Sequence, residues 1–125
     1  GCMPKTVMIV DDSASIRQVV TIVLKSGGYD VVEASDGVDA INKLGKQKVS
    51  LVVCDVNMPR MDGLTFLKAI KASQLHRFTP VIMLTTESQE SKKQEGRLAG
   101  AKAWVVKPFK PEQMLEAVSK LMLPN

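Results

Sequence analysis

Leu51-Val52-Val53-Cys54-Asp55 is an apolar run that ends on a carboxylate, and three other stretches repeat its form. Val7-Met8-Ile9-Val10 runs into Asp11-Asp12, Val81-Ile82-Met83-Leu84 into Thr85-Thr86, and Ala103-Trp104-Val105-Val106 into Lys107-Pro108. Short apolar runs rich in β-branched residues and separated by helix-like stretches read as strands of a parallel sheet buried on both faces. In an open α/β sheet, ligands bind beyond the carboxyl ends of the strands, at a switch point in strand order. Three carboxylates, a hydroxyl and an ammonium therefore converge on one cleft, a set suited to a divalent cation and a phosphoryl group.

Outward from these runs, strands and helices alternate. Strands are expected near residues 5–10, 30–34, 50–54, 80–84 and 102–106, and helices near 13–26, 37–46, 63–74, 88–99 and 111–122. Ile16, Val19, Val20 and Val23 form a core-facing stripe on the first helix. Ser13 is placed to cap its start and Gly27-Gly28 to end it. Asp36-Gly37 and Asp62-Gly63 are turn signals before the second and third helices, and Pro111 suits the first turn of the last. The last helix is expected to bury Met114, Leu115, Val118, Leu121 and Met122. The fourth helix is mostly polar and carries Gly96 inside it, where glycine costs about 1 kcal/mol relative to alanine. It is either a weakly packed moving part or an ordinary exposed helix. The predicted fold is α/β: a doubly wound, flavodoxin-like sheet of five parallel strands in order 2-1-3-4-5 with five helices.

At 125 residues the chain is expected to form one domain over residues 5–123, preceded by an extension at 1–4 in which Gly1-Cys2 reads as an expression remnant. Hydrophobic content of 45% and charged content of 24% are ordinary for a globular chain. No apolar stretch reaches the roughly 18 residues of a membrane span, and no secretory signal opens the sequence, so a cytoplasmic location is expected. Cys54 reads as a buried, inert thiol rather than half of a disulfide. The net charge of +4 is spread over helix faces with few aromatic residues, which argues against nucleic acid and for a solvated surface or an acidic protein partner.

Three clustered carboxylates repel one another; two unit charges about 4 Å apart interact by roughly 4 kcal/mol at an effective dielectric of about 20. A hard cation would neutralise that repulsion. Mg²⁺ takes oxygen ligands, keeps waters, and pairs one or two carboxylates with phosphate oxygens. Asp12 and Asp55 are the expected direct ligands, with Asp11 acting through water and the backbone carbonyl near Asn57 supplying a further oxygen. A carboxylate is also a nucleophile toward phosphorus, and Asp55 ends the central strand on the path of an incoming phosphoryl group. Lys107, the Thr85 hydroxyl and backbone N–H groups are positioned to take the remaining phosphoryl oxygens.

Val-Asp11-Asp12-Ser, Cys-Asp55-Val-Asn57-Met58-Pro59-Arg-Met61-Asp62-Gly63, Leu-Thr85-Thr86 and Val-Lys107-Pro108-Phe109 together resemble the receiver domains of two-component response regulators. The likeness runs from Lys5 to Met122. It implies Asp55 as phosphoacceptor, Mg²⁺ (or Mn²⁺ in its place) at Asp11, Asp12 and Asp55, and a cis bond between Lys107 and Pro108. It implies Thr85, with Thr86 beside it, and Lys107 as phosphoryl-binding switch residues. Trp104 stands where the family carries a switching Tyr or Phe, and an indole is larger. Asn57 and Glu87 occupy the variable positions that tune the lifetime of the phosphorylated state, and both resemble the family's chemotaxis members.

The resemblance implies a phosphorylation-activated module rather than a conventional enzyme, one that catalyses only its own phosphorylation and dephosphorylation. Its expected partners are a histidine kinase of the chemotaxis type, a flagellar motor switch protein and a phosphatase, with no nucleic acid or membrane, and it is expected to be a monomer. No output domain follows the last helix, so a stand-alone regulator is expected; the alternative is a receiver excised from a longer regulator with DNA-binding or enzymatic output. A haloacid dehalogenase-type enzyme would carry a carboxylate where this chain has Asn57. A flavodoxin-like FMN carrier would not place two aspartates against its phosphate.

Overall fold

The computed structural model describes residues 5–56, 58, 61–86 and 90–122, without the side chains of residues 90–93 and 98. Five parallel strands form one sheet: β1 Thr6–Val10, β2 Asp30–Ala34, β3 Leu51–Asp55, β4 Val81–Thr85 and β5 Ala103–Val106. Their order is β2-β1-β3-β4-β5, the expected one. Five helices connect and follow them: α1 Ala14–Ser26, α2 Gly37–Leu44, α3 Gly63–Ala72, α4 Glu90–Ala99 and α5 Pro111–Leu121. None is long and apolar enough to cross a membrane among the described residues.

β1, β3 and β4 read as apolar runs because the sheet has a core on each face. Successive side chains alternate between them. Met8, Val10, Val52, Cys54 and Met83 point to one side, against Ala40 and Leu44 of α2 and Phe66, Leu67 and Ile70 of α3. Val7, Ile9, Leu51, Val53, Ile82 and Leu84 point to the other, against Val20, Val23 and Leu24 of α1 and Met114 and Val118 of α5. Each such side chain, fully buried, contributes about 1.5–3 kcal/mol, so the central strands are fixed in place by both layers.

Three polar side chains set where helices begin. Ser13 Oγ accepts from the Ile16 N–H at 3.3 Å, Asp36 Oδ1 from Asp39 at 2.8 Å and Asp62 Oδ1 from Thr65 at 2.8 Å. Such a cap stabilises by about 1 kcal/mol. Gly28, with φ of +91°, supplies the left-handed residue after α1.

Two sequence expectations need correction. β3 and β4 extend one residue beyond their apolar runs, through Asp55 and Thr85. Backbone pairing ignores side-chain polarity: the Val56 N–H donates to Leu84 O at 3.0 Å and the Lys107 N–H to Thr85 O at 2.7 Å. Val19 does not belong to the buried stripe of α1; it is 49% exposed, and Ile22 is 62% exposed. Val20 and Val23 are buried as expected, Ile16 packs against the same core, and Leu24 takes the place expected of Val19. The expected extension at residues 1–4, with Cys2, lies outside the described residues.

Candidate functional site

The parallel register carries the ends of four neighbouring strands to one edge. Val10 lies beside Cys54, Asp55 beside Leu84, and Thr85 beside Val106. Each polar residue after or at those positions therefore faces the same cleft. Asp11, Asp12 and Asp55 each place an oxygen within 4.8 Å of the other two. Asp11 is sealed from solvent and Asp55 nearly so, whereas Asp12 is exposed. This is a hard, anionic oxygen donor set, and it fits Mg²⁺ or Mn²⁺ rather than a soft-metal ligand cage.

Lys107 reaches into this cluster from the end of β5. Its Nζ lies 3.2 Å from Asp55 Oδ1 and 3.4 Å from Asp11 Oδ2. One ammonium thus offsets charge on two carboxylates that have little water to do so. The peptide bond from Lys107 to Pro108 is cis. Thr85 is buried at the end of β4, its hydroxyl donating to Thr86 O at 3.1 Å, and Thr86 is exposed.

One positioning residue, Arg17, carried no signal in the sequence. Arg17 of α1 donates from Nη1 to Asp11 O at 2.6 Å and from Nε to Glu33 Oε1 at 3.2 Å, tying the ends of β1 and β2 to α1. The Asp11 carboxylate in turn accepts from the Ser13 N–H at 2.9 Å. Gly63 lets α3 begin directly against the end of β3. A Cβ there would overlap the Asp55 carbonyl oxygen and lie 2.8 Å from Val56 Cα. Behind the cleft, Cys54 is buried, and burial, followed by the Asp55 and Asp11 charges, pushes its thiol well above the usual range. It stays a protonated, unreactive packing group.

Trp104 is half-buried and packs on the Phe66 side of the sheet. Its indole lies over Gly96 of α4, where an added Cβ would overlap Cζ2 and sit 2.7 Å from Cη2. Gly96 is therefore not a mere weakness in a polar helix; it is the notch that accepts the ring. The indole Nε1 is buried and has no hydrogen-bond partner among the described residues. Asn57 and Glu87, singled out for lifetime tuning, and the Asn57 carbonyl, singled out as a ligand, lie outside the described residues.

The family model for the response regulator receiver domain matches residues 7–119. The chain belongs to this family. The receiver is 38% identical to chemotaxis protein CheY of Bacillus subtilis over 121 residues, covering 96% of this chain and 99% of that one. It is 38% identical over 112 residues to protein PilG of Pseudomonas aeruginosa, covering 90% of this chain and 83% of that one. Its backbone superimposes on the crystal structure of Vibrio cholerae chemotaxis protein CheY4 with a TM-score of 0.91, at 44% identity, over 96% of the receiver and 100% of the other chain. Two of these relatives, CheY and CheY4, are chemotaxis proteins.

Proposed function

We propose that Asp55 accepts a phosphoryl group from a phosphohistidine of a chemotaxis-type histidine kinase. The carrying observation is the convergence of Asp11, Asp12 and Asp55 within 4.8 Å, with Lys107 Nζ 3.2 Å from Asp55. An Asp55 carboxylate oxygen attacks phosphorus, the P–N bond breaks, and the imidazole leaves with its electron pair and takes up a proton. The product is an acyl phosphate on Asp55. Such a transfer needs positioning and charge neutralisation more than covalent assistance. Lys107 follows charge from the carboxylate to a phosphoryl oxygen, and Thr85, one strand over, supplies a hydroxyl to another. Mg²⁺ bound by Asp11, Asp12 and Asp55, with the Asn57 carbonyl, would neutralise the carboxylates and a phosphoryl oxygen. The chain acts on no other substrate: it catalyses only gain and loss of its own phosphoryl group.

The output we infer is docking of α4, β5 and α5 on a flagellar motor switch protein, with a phosphatase ending the signal and Asn57 and Glu87 setting its lifetime. Similarity to a chemotaxis regulator over 96% of this chain and 99% of that one supports this reading. So does a surface groove of about 830 Å³ along β5 and α5, lined by Trp104, Val106, Lys107, Glu116 and Lys120 among others. Lys107 thereby borders both the carboxylate cleft and the docking face. Incubation with acetyl phosphate and Mg²⁺ tests the assignment. Mass spectrometry should find one added phosphoryl group on Asp55, and Asp55→Asn should abolish it. Unchanged labelling of that variant would overturn the phosphoacceptor role.

A further inference from the structure

Each polar atom of Asp11 has a partner. Its N–H donates to Ala34 O at 3.1 Å, Oδ1 accepts from the Ser13 N–H at 2.9 Å, and Oδ2 lies 3.4 Å from Lys107 Nζ. Its carbonyl oxygen accepts from Arg17 Nη1 at 2.6 Å. That last bond reaches beyond Asp11. The carbonyl belongs to the peptide unit that joins Asp11 to Asp12, and a peptide unit is planar. Fixing the oxygen fixes the plane, and with it the direction in which the chain enters Asp12. Asp12 is exposed and lacks the packing that seals Asp11, so this plane is what aims its carboxylate.

The guanidinium is itself held. Its Nε donates to Glu33 Oε1 of β2 at 3.2 Å, and the side chain is only 18% exposed. Glu33 is backed in turn by α2, where Lys43 Nζ donates to Glu33 O and lies 3.2 Å from Asp39 Oδ2. The planar fork of an arginine serves both bonds in one geometry, which a lysine cannot do. A cation in the first turn of a helix opposes the helix dipole, so α1 itself gains nothing from Arg17. What gains is the end of β1, where α1, β2 and α2 together brace one peptide plane.

Two effects of Arg17 on a bound cation oppose each other. As a charge, the guanidinium repels a divalent ion at Asp11, Asp12 and Asp55, so its loss would tighten binding. As a brace, it fixes two of the three carboxylates whose oxygens lie within 4.8 Å of one another, so its loss would loosen binding. The charge is shared with Glu33, whereas the bond to Asp11 O is direct, so the brace dominates. Mg²⁺ demands near-ideal octahedral geometry, whereas Ca²⁺ accepts a more flexible oxygen set. We propose that Arg17 is a positioning residue for the cation site and sets its preference for Mg²⁺ over Ca²⁺. This role rests on the reading of Asp11, Asp12 and Asp55 as a Mg²⁺ site.

The test is titration of the ¹⁵N-labelled chain with Mg²⁺ and with Ca²⁺, read at the amides of Asp12, Ser13 and Val56. It compares wild type, Arg17→Met and Arg17→Lys at a temperature where metal-free melts show all three folded, so that lowered stability does not enter the Kd. Arg17→Met keeps an apolar stem and removes both bonds and the charge. Its Mg²⁺ Kd should rise at least about tenfold, the usual scale for losing a partner of a ligand residue. Its Ca²⁺ Kd should rise less, so the preference for Mg²⁺ falls. Arg17→Lys keeps the charge and one donor but loses the fork, and its Mg²⁺ Kd should lie between the other two. Unchanged or tighter Mg²⁺ binding by Arg17→Met overturns the positioning role and leaves the Mg²⁺ site standing. Equal losses for the two ions overturn the selectivity. Where Arg17→Met fails to fold, an Arg17→Lys Kd equal to that of wild type overturns the proposal. A wild type that binds no Mg²⁺ overturns both this role and the reading beneath it.

Discussion

At the carboxyl edge of the sheet, Asp11 and Asp55 are nearly sealed from water and share the Lys107 ammonium at 3.4 and 3.2 Å. At the amino edge, His76 is equally sealed, and its Nε2 meets no partner among the described residues. The first edge is electrostatically answered from within, by side chains that three strands bring together. A further charge arriving there, such as a phosphoryl group, must rearrange existing pairs, and that rearrangement is what a switch reads. Ligands shift a conformational equilibrium only by contacts that differ between its states. The second edge is a cleft between the last turns of α2 and α3, with apolar walls, a single sign of charge and an unanswered nitrogen.

The contrast can be broken most severely at the metal ligands. Mg²⁺ at a hundredfold excess over its Kd should stabilise the fold by about 2.7 kcal/mol, seen in thermal or urea melts. Asp12→Ala should remove most of that gain and, without divalent ions, should melt higher than wild type because a like charge is gone. An equal Mg²⁺ shift in both proteins would show that Asp12 is not a direct ligand. Next in size is Gly96→Ala. The added methyl overlaps the indole, and overpacking of this kind costs about 1–3 kcal/mol. Trp104→Phe in the same chain should restore much of the loss in urea melts; a neutral Gly96→Ala would mean that the ring does not rest there.

A smaller effect sharpens the idea of rearrangement. Trp104 is the only tryptophan, so its fluorescence reports one place. Mg²⁺ with beryllofluoride should change its intensity or quenching, and Thr85→Ala should blunt the change while Mg²⁺ binding persists. A wild-type signal that answers to Mg²⁺ alone would separate Trp104 from the phosphoryl site. Smallest is the pH response of the amino edge. The folded His76 pKa lies below the ordinary value of about 6.5, so the unfolded chain takes up its proton first as pH falls. His76 should therefore contribute full stability above about pH 6.5 and lose it progressively below, down to its folded pKa. Urea midpoints between pH 7.5 and 5.5 should fall less steeply for His76→Gln.

The carboxyl edge was legible in the sequence because a parallel strand announces itself twice, by an apolar run and by the polar residue that ends it. Asp11, Asp55, Thr85 and Lys107 were all found that way; the alternation of elements fitted a doubly wound sheet, and the order 2-1-3-4-5 was its simplest arrangement and that of the family the motifs resemble. The one-residue shift at Asp55 and Thr85 marks the limit of the signal, since backbone pairing continues where hydrophobicity stops. Val19 shows a second limit: an apolar residue at helical spacing fits the buried stripe and its neighbouring phase equally well. The amino edge was illegible for a different reason. Its cleft is assembled from the last turns of α2 and α3 and the loop at His76, and no period links Ile41 with Leu75. Arg17 and Gly96 escaped likewise, because each acts on a residue of another element.

The seating of the Trp104 ring on Gly96 ties two positions into one heritable unit. An indole at this point of β5 leaves α4 no side chain larger than a hydrogen atom, and a lineage that regained a methyl there would have to surrender the indole. Among descendants of this chain the two sites should change together or not at all. A relative with tryptophan in the strand and alanine in the helix would need its fourth helix set farther from the sheet.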